Sequence, residues 1–131
     1  MRLLLDTHFF LWLARDRTRI SDAEMRLIES DDVAVLISPI VIWEIRLKWN
    51  SVDRQGRRKG LLSPEAALDL ITRSPMELTS LTAEHCAAPL DPPILHKDPF
   101  DEMLLVHAAQ LGARLLTRDR LLIGHPLAIS R

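Results

Sequence analysis

Asp6 in LLLDTH, Glu44 in ISPIVIWEI, Asp98 and Asp101 in HKDPFDEMLLVHAAQLG and Asp119 in LLTRDR stand at points where apolar strand-like runs give way to helix-like ones. Brought together, Asp6, Glu44, Asp101 and Asp119 would form a carboxylate cluster with no matching lysine or arginine among them, and at neutral pH such a cluster calls for divalent cations. Mg²⁺ and Mn²⁺ favour oxygen ligands, and two such ions about 3.5–4 Å apart can activate water and stabilise the leaving oxygen of a phosphodiester. The pattern points to metal-dependent phosphodiester chemistry, with those four acids as candidate catalytic and metal-binding residues. Thr7 and Thr117 adjoin two of them and are candidates for orienting a water or a phosphate oxygen, as is Asp98 for support from behind.

Each acid also has a purely structural reading. Asp6 and Asp98 are placed to cap helices, Asp101 gains from the macrodipole of its helix, Glu44 can pair with Lys48 one turn on, and Asp119 suits a turn. The joint arrangement favours chemistry, because all of these positions fall at a strand end or in the helix beside it.

The elements that must position them are legible as alternating strands and helices. Leu3–Leu5 is an apolar run that suits a buried parallel strand, followed by a helix from His8 to Arg15. Ser21 and Glu24 form a capping-box signature for a helix over Asp22–Ser30, and β-branched Val33–Ile37 reads as the next strand. From Ile40 to Trp49 the alternation of Trp43, Ile45, Leu47 and Trp49 with Glu44, Arg46 and Lys48 has a strand period, but Ser38 as N-cap and Pro39 after it weigh toward a helix. Ser63-Pro64 opens another helix to about Thr72. Met76–Leu81 suits a short strand, Thr82–Ala88 a helix, and Pro92-Pro93 a rigid turn. Asp98-Pro99 opens the clearest helix, with Gly112 as its stop, before strands at Arg114–Thr117 and Leu127–Ile129. This order predicts an α/β fold with a mostly parallel sheet and right-handed crossovers, whose functional crevice lies beyond the carboxyl ends of the strands.

Bulk properties narrow the class. A chain of 131 residues accommodates one packed core, and 47% hydrophobic with 27% charged residues is an ordinary globular balance. With 17 basic against 18 acidic residues, any nucleic-acid affinity must be local. The one marked basic run, Arg46, Lys48, Arg54, Arg57, Arg58 and Lys59, is either a solvated loop or an arm for RNA phosphates that offsets the acidic pocket. Cys86 is the single cysteine, which excludes an intramolecular disulfide, suits a reducing cytoplasm, and reads as a small buried residue. The apolar N-terminal stretch is broken by Asp6 and His8 and resembles neither a signal peptide nor a bilayer span. Trp12, Trp43 and Trp49 read as core or subunit-interface anchors, and the five histidines show no close-spaced zinc pattern; His96, close to Asp98, reads as a loop residue with a possible part in substrate binding.

Taken in order and with their spacing, LLLDTH, SPIVIWEI, HKDPFDEMLLVHAAQLG and LLTRD resemble the PIN domain, specifically the VapC-type toxins of bacterial toxin–antitoxin pairs. The resemblance covers essentially the whole chain and implies one PIN domain over residues 1–131, a three-layer α/β/α sandwich. It also implies an Mg²⁺- or Mn²⁺-dependent ribonuclease, a homodimer, and inhibition by a cognate VapB-type antitoxin. By motif, Asp6, Glu44 and Asp101 match the acidic triad and Asp119 the more variable fourth acid. Asp101 is preferred to Asp98 because its spacing to Gly112 and Thr117 matches family members with a single acid there. The sequence departs from the common HRDPFDR form at Lys97 and at Glu102, where a basic residue is usual, which touches substrate choice more than the metal ligands. A phosphate-acceptor receiver domain fits less well, since Asp6 stands alone and no lysine follows Lys97. A PIN-like scaffold without catalysis is the other alternative.

Overall fold

Three consecutive leucines, Leu3, Leu4 and Leu5, are all 0% exposed. Successive strand residues point to opposite faces, so a strand buried at every position must be covered on both sides. That is the signature of a three-layer arrangement, and the computed structural model, which describes residues 1–96 and 98–131, has it. Strands β1 (Arg2–Leu5), β2 (Ala34–Ile37), β3 (Glu77–Leu78), β4 (Arg114–Leu116) and β5 (Ala128–Ile129) form one sheet in the order β3-β2-β1-β4-β5, with every pairing parallel. Helices α1 (Thr7–Arg15), α2 (Asp22–Glu29), α3 (Pro39–Trp49), α4 (Pro64–Thr72), α5 (Ala83–Ala87) and α6 (Pro99–Gln110) supply the outer layers.

Helix starts follow local chemistry. Asp6, Ser21, Ser38, Ser63, Thr82 and Asp98 each accept a backbone N–H from the first turn they precede, and proline follows three of them. The ambiguous segment after β2 is helical. Its alternating pattern arises because α3 buries Val41 and Ile45 while leaving Trp43 52% and Leu47 41% exposed. α6 buries Leu104 through Ala108, then ends where Gly112 adopts φ 63°, a left-handed conformation that costs glycine little. β3 is shorter than the Met76–Leu81 expectation, pairing with β2 only through Glu77 and Leu78. No helix among the described residues is long and apolar enough to cross a membrane.

The strand order explains where a site can form. From β1 the chain moves outward to β2 and β3, then returns across the sheet to place β4 on the other side of β1. Adjacent connections therefore diverge at the carboxyl ends of β1 and β4, which opens a crevice between them. Asp6 directly follows β1 and Thr117 directly follows β4, and the Asp6 amide donates to the Leu116 carbonyl at 3.2 Å.

Candidate active site

Asp6 and Thr7 form a buried junction between β1 and α1, 8% and 3% exposed. One Asp6 carboxylate oxygen accepts the Phe9 amide at 2.9 Å, capping α1, so the structural reading of this residue holds. Burial pushes the Asp6 carboxyl above the usual range; the Phe9 amide, the Thr117 hydroxyl and His8 act in the other direction, and the charge of Glu44 adds to the rise. An acid that caps a helix, is short of solvent and feels a second carboxylate gains from a nearby cation. Glu44 reaches the same place from α3. Its Oε1 accepts the Thr7 hydroxyl at 2.6 Å, and its Oε2 lies 3.5 Å from Lys48 Nζ.

Across Thr117 lies a second group. Asp98 caps α6 by accepting the amides of Phe100 at 2.9 Å and Asp101 at 3.3 Å, which makes it a structural residue first. Asp101, one turn into α6, is pushed up to about 6 by burial and by the Asp119 and Asp98 carboxylates, with His96 countering. His96 Nε2 lies 3.1 Å from Asp101 Oδ2. Asp119 holds the turn after β4: its Oδ1 accepts the Leu121 amide at 2.9 Å and its own amide donates to Thr117 Oγ1 at 3.0 Å. The fully buried Thr117 hydroxyl thus interacts with Asp6 on one side and Asp119 on the other.

The four acids expected at one mouth fall into two pairs, Asp6 with Glu44 and Asp101 with Asp119, and Thr117 is the residue that adjoins both. Among the described residues no three acidic, histidine or cysteine side chains converge tightly enough to form a ready cation cage. The donor set nevertheless suits a hard divalent cation, since it is made of carboxylate and hydroxyl oxygens and two of its acids are held above their usual range by burial and mutual repulsion.

Lys48 corrects one expectation. It pairs with Glu44, so the cluster does have a matching cation, and the structural reading of that i,i+4 pair also holds. Most of the basic run is similarly engaged. Arg46 lies over the Trp43 ring at 5.1 Å, Arg57 pairs with Asp53 at 3.2 Å, and Arg58 donates to the Trp49 carbonyl at 2.7 Å while covering its ring. Arg54 and Lys59 are exposed and make no ion pair among the described residues. The loop is pinned at its end by Gly60, where a Cβ would stand 2.5 Å from the Trp49 Cα. Cys86 is exposed rather than buried, because α5 is a five-residue surface turn of helix. Trp43 lies at the surface, not in the core, and Lys97 lies outside the described residues.

Sequence reasoning missed two buried polar pairings. Glu24, 1% exposed, pairs with Arg118, whose guanidinium also lies 4.8 Å from the centre of the Trp12 ring. His107, 0% exposed, bridges Ser38 and Ser80. A histidine inside LLVHAA was the available signal for the second; nothing near Glu24 in sequence points to Arg118.

The fold is shared with solved toxin–antitoxin structures. VapBC2 from Rickettsia felis, bound to a DNA fragment from its promoter, aligns with a TM-score of 0.67 at 18% identity over 100% of this chain and 98% of that one. VapBC-1 from nontypeable Haemophilus influenzae gives 0.56 at 20% identity over 91% and 87%. DNA-bound VapBC from Salmonella typhimurium gives 0.54 at 18% identity over 100% and 97%. No curated protein matches the sequence. The PIN domain family model matches residues 3–123. With that match across nearly its whole length and with its acids at the crevice of a parallel sheet, this chain belongs to the PIN domain family.

Proposed function

We propose that this protein is a VapC-type toxin, an Mg²⁺- or Mn²⁺-dependent endoribonuclease held in check by a VapB-type antitoxin. What supports the reading is that Asp6 pairs with Glu44 beside the end of β1 and Asp101 with Asp119 beside the end of β4, with the buried Thr117 hydroxyl between Asp6 and the Asp119 amide. PIN domains are generally nucleases, and the solved structures of like fold are VapBC complexes.

In this reading Asp6, Glu44 and Asp101 hold the metal, with Asp119 as a fourth acid. Mg²⁺ or Mn²⁺ held there would supply Lewis acidity, lowering the pKa of a water and offsetting charge on the leaving oxygen of an RNA phosphodiester. The chain's own groups prepare that site. Thr7 aims one Glu44 oxygen, and Thr117 steadies both Asp6 and the Asp119 turn. Asp98 sets the first turn of α6, whose N-terminal end favours the anionic form of Asp101. Arg54 and Lys59 are the basic residues best placed to meet RNA phosphates, while Arg46, Lys48, Arg57 and Arg58 must first exchange the partners they have. The exposed Trp43 and Leu47 of α3 offer apolar area for a second copy in a homodimer or for the antitoxin. The protein would act in the cytoplasm, where its RNA substrate and antitoxin are made.

Cleavage of total cellular RNA by purified protein with Mg²⁺, with Mn²⁺ and with chelator, beside Asp6→Asn, tests the reading. Asparagine keeps the helix cap and removes the charge. Discrete fragments requiring both metal and Asp6 are expected. Equal cleavage by Asp6→Asn would refute the assignment, and no cleavage by folded, antitoxin-free protein would favour a binding-only scaffold.

A further inference from the structure

Glu44 and Asp101 ride on different helices, so any cation held between them depends on how α3 and α6 are fixed to one another. His107 lies six residues past Asp101 on α6, about 9 Å along the helix axis. Its Nε2 is 3.0 Å from the Ser80 carbonyl oxygen and its Nδ1 is 2.8 Å from Ser38 Oγ. A carbonyl can only accept, so Nε2 carries the proton and Nδ1 accepts from the Ser38 hydroxyl. Burial and the neighbouring His85 ring, 5.0 Å away, both hold His107 below the usual histidine range, in the neutral form this pairing requires.

Both partners belong to the scaffold of the site. Ser38 is fully buried and caps α3, its Oγ accepting the Ile40 amide at 3.1 Å six residues before Glu44. Ser80 follows Thr79, whose amide donates to the Ile37 carbonyl at 2.9 Å at the end of β2. One imidazole therefore ties the helix of Asp101 to the first turn of the helix of Glu44 and to the edge strand beside it.

We propose that His107, acting through Ser38, is a positioning residue that sets the separation of the Glu44 and Asp101 helices and thereby the cation affinity of the site. It touches neither substrate nor metal. The inference rests on the nuclease reading above. A residue that only filled space could be replaced by leucine at a cost in stability alone, whereas a positioning residue shifts metal binding in protein that remains folded. Glutamine can reproduce the tie, because its amide N–H donates where Nε2 does and its oxygen accepts where Nδ1 does.

The test compares wild type, His107→Leu and His107→Gln by calorimetric titration with Mn²⁺ alone, by kcat and KM for RNA, and by melting in chelator to show that each is folded at the assay temperature. His107→Leu is expected to bind Mn²⁺ about 10-fold more weakly and to lose kcat with little change in KM, while His107→Gln stays within about threefold of wild type. Wild-type Mn²⁺ affinity in folded His107→Leu would overturn the role, as would equal losses in both variants. If His107→Leu does not fold, Ser38→Ala carries the test: it removes the α3 arm together with the α3 cap, whose loss the melt reads separately, and weaker Mn²⁺ binding in folded protein is expected, with unchanged binding overturning the role. Failure of wild type itself to bind Mn²⁺ would bring down the nuclease reading and this role together, whereas normal wild-type binding with indifferent variants would sink the positioning role alone.

Discussion

Asp6 and Glu44 on one side of the crevice, and Asp101 and Asp119 on the other, present the same functional group under opposite local conditions. The first pair is aimed: the Phe9 amide fixes Asp6, the Thr7 hydroxyl fixes Glu44, and Lys48 offsets the charge of Glu44. The second pair is crowded, with Asp119 and Asp98 both pressing on Asp101 and His96 giving relief. The difference follows from backbone context. Asp6 and Thr7 are adjacent in a buried strand–helix junction, while Asp119 belongs to a surface turn and Asp101 to a helix start that already holds another acid. An aimed carboxylate contributes geometry, and a crowded one contributes a repulsion that a divalent cation relieves.

Breaking the aimed half should have the largest effect. Glu44→Gln is expected to lower RNA cleavage at saturating Mg²⁺ by roughly 100-fold or more, and Asp119→Asn by about 10-fold, in initial-rate assays. Similar losses in the two variants would erase the distinction drawn between the pairs.

Glu24 serves as a carboxylate whose cation is built in. Arg118 first, and the Ser21 hydroxyl and amide after it, hold the Glu24 carboxyl below its ordinary 4.5. A depressed folded-state value means that its stabilisation is complete above the unfolded value and is lost as pH falls through the folded one. Urea melts should therefore show wild type losing stability below about pH 4.5 more steeply than Glu24→Gln. Because Arg118 is 42% exposed, the loss in Glu24→Gln at pH 7 is expected near 2 kcal/mol, below that of a fully buried pair.

The crowded half responds in the other direction. In chelator at pH 7, Asp101→Asn should raise stability by about 1 kcal/mol, because it removes a carboxylate from beside two others. The same substitution should abolish the stabilisation of about 2.7 kcal/mol that cation at 100 times its Kd confers on wild type. A lower melting point for Asp101→Asn in chelator would show that the pair is not repulsive. The smallest effect belongs to the loop: Arg54→Ala with Lys59→Ala should weaken RNA binding only a few-fold and reduce the salt slope by about 1 to 2.

Secondary structure was legible where local chemistry decides it. Ser21 with Glu24, Ser38 with Pro39, Ser63 with Pro64 and Asp98 with Pro99 announced helix starts that the fold uses as written. The acids were chosen by position, since strand ends in a parallel sheet share one mouth. What sequence reasoning left out is what depends on side-chain direction across long separations. That the acids form two pairs, that Arg118 reaches back to Glu24, and that His107 reaches Ser38 and Ser80 all require knowing which helix faces which. Lys48 shows the converse: the i,i+4 rule foresaw its partner, yet its place among basic residues suggested RNA instead.

Gly60 bears on how this chain can change over generations. A side chain there would collide with the Trp49 backbone, 2.5 Å from the new Cβ, and Gly56 at the tip of the same loop is held to glycine by its φ of 77°, whereas Arg54 and Gln55 beside it are exposed side chains. Mutations can therefore rewrite the charge of the tip freely, altering which molecules it attracts, while the anchoring position stays closed to every larger residue. The loop is a fast-drifting surface tethered at a slow-drifting point, a place where substrate preference can diverge between lineages without disturbing the fold.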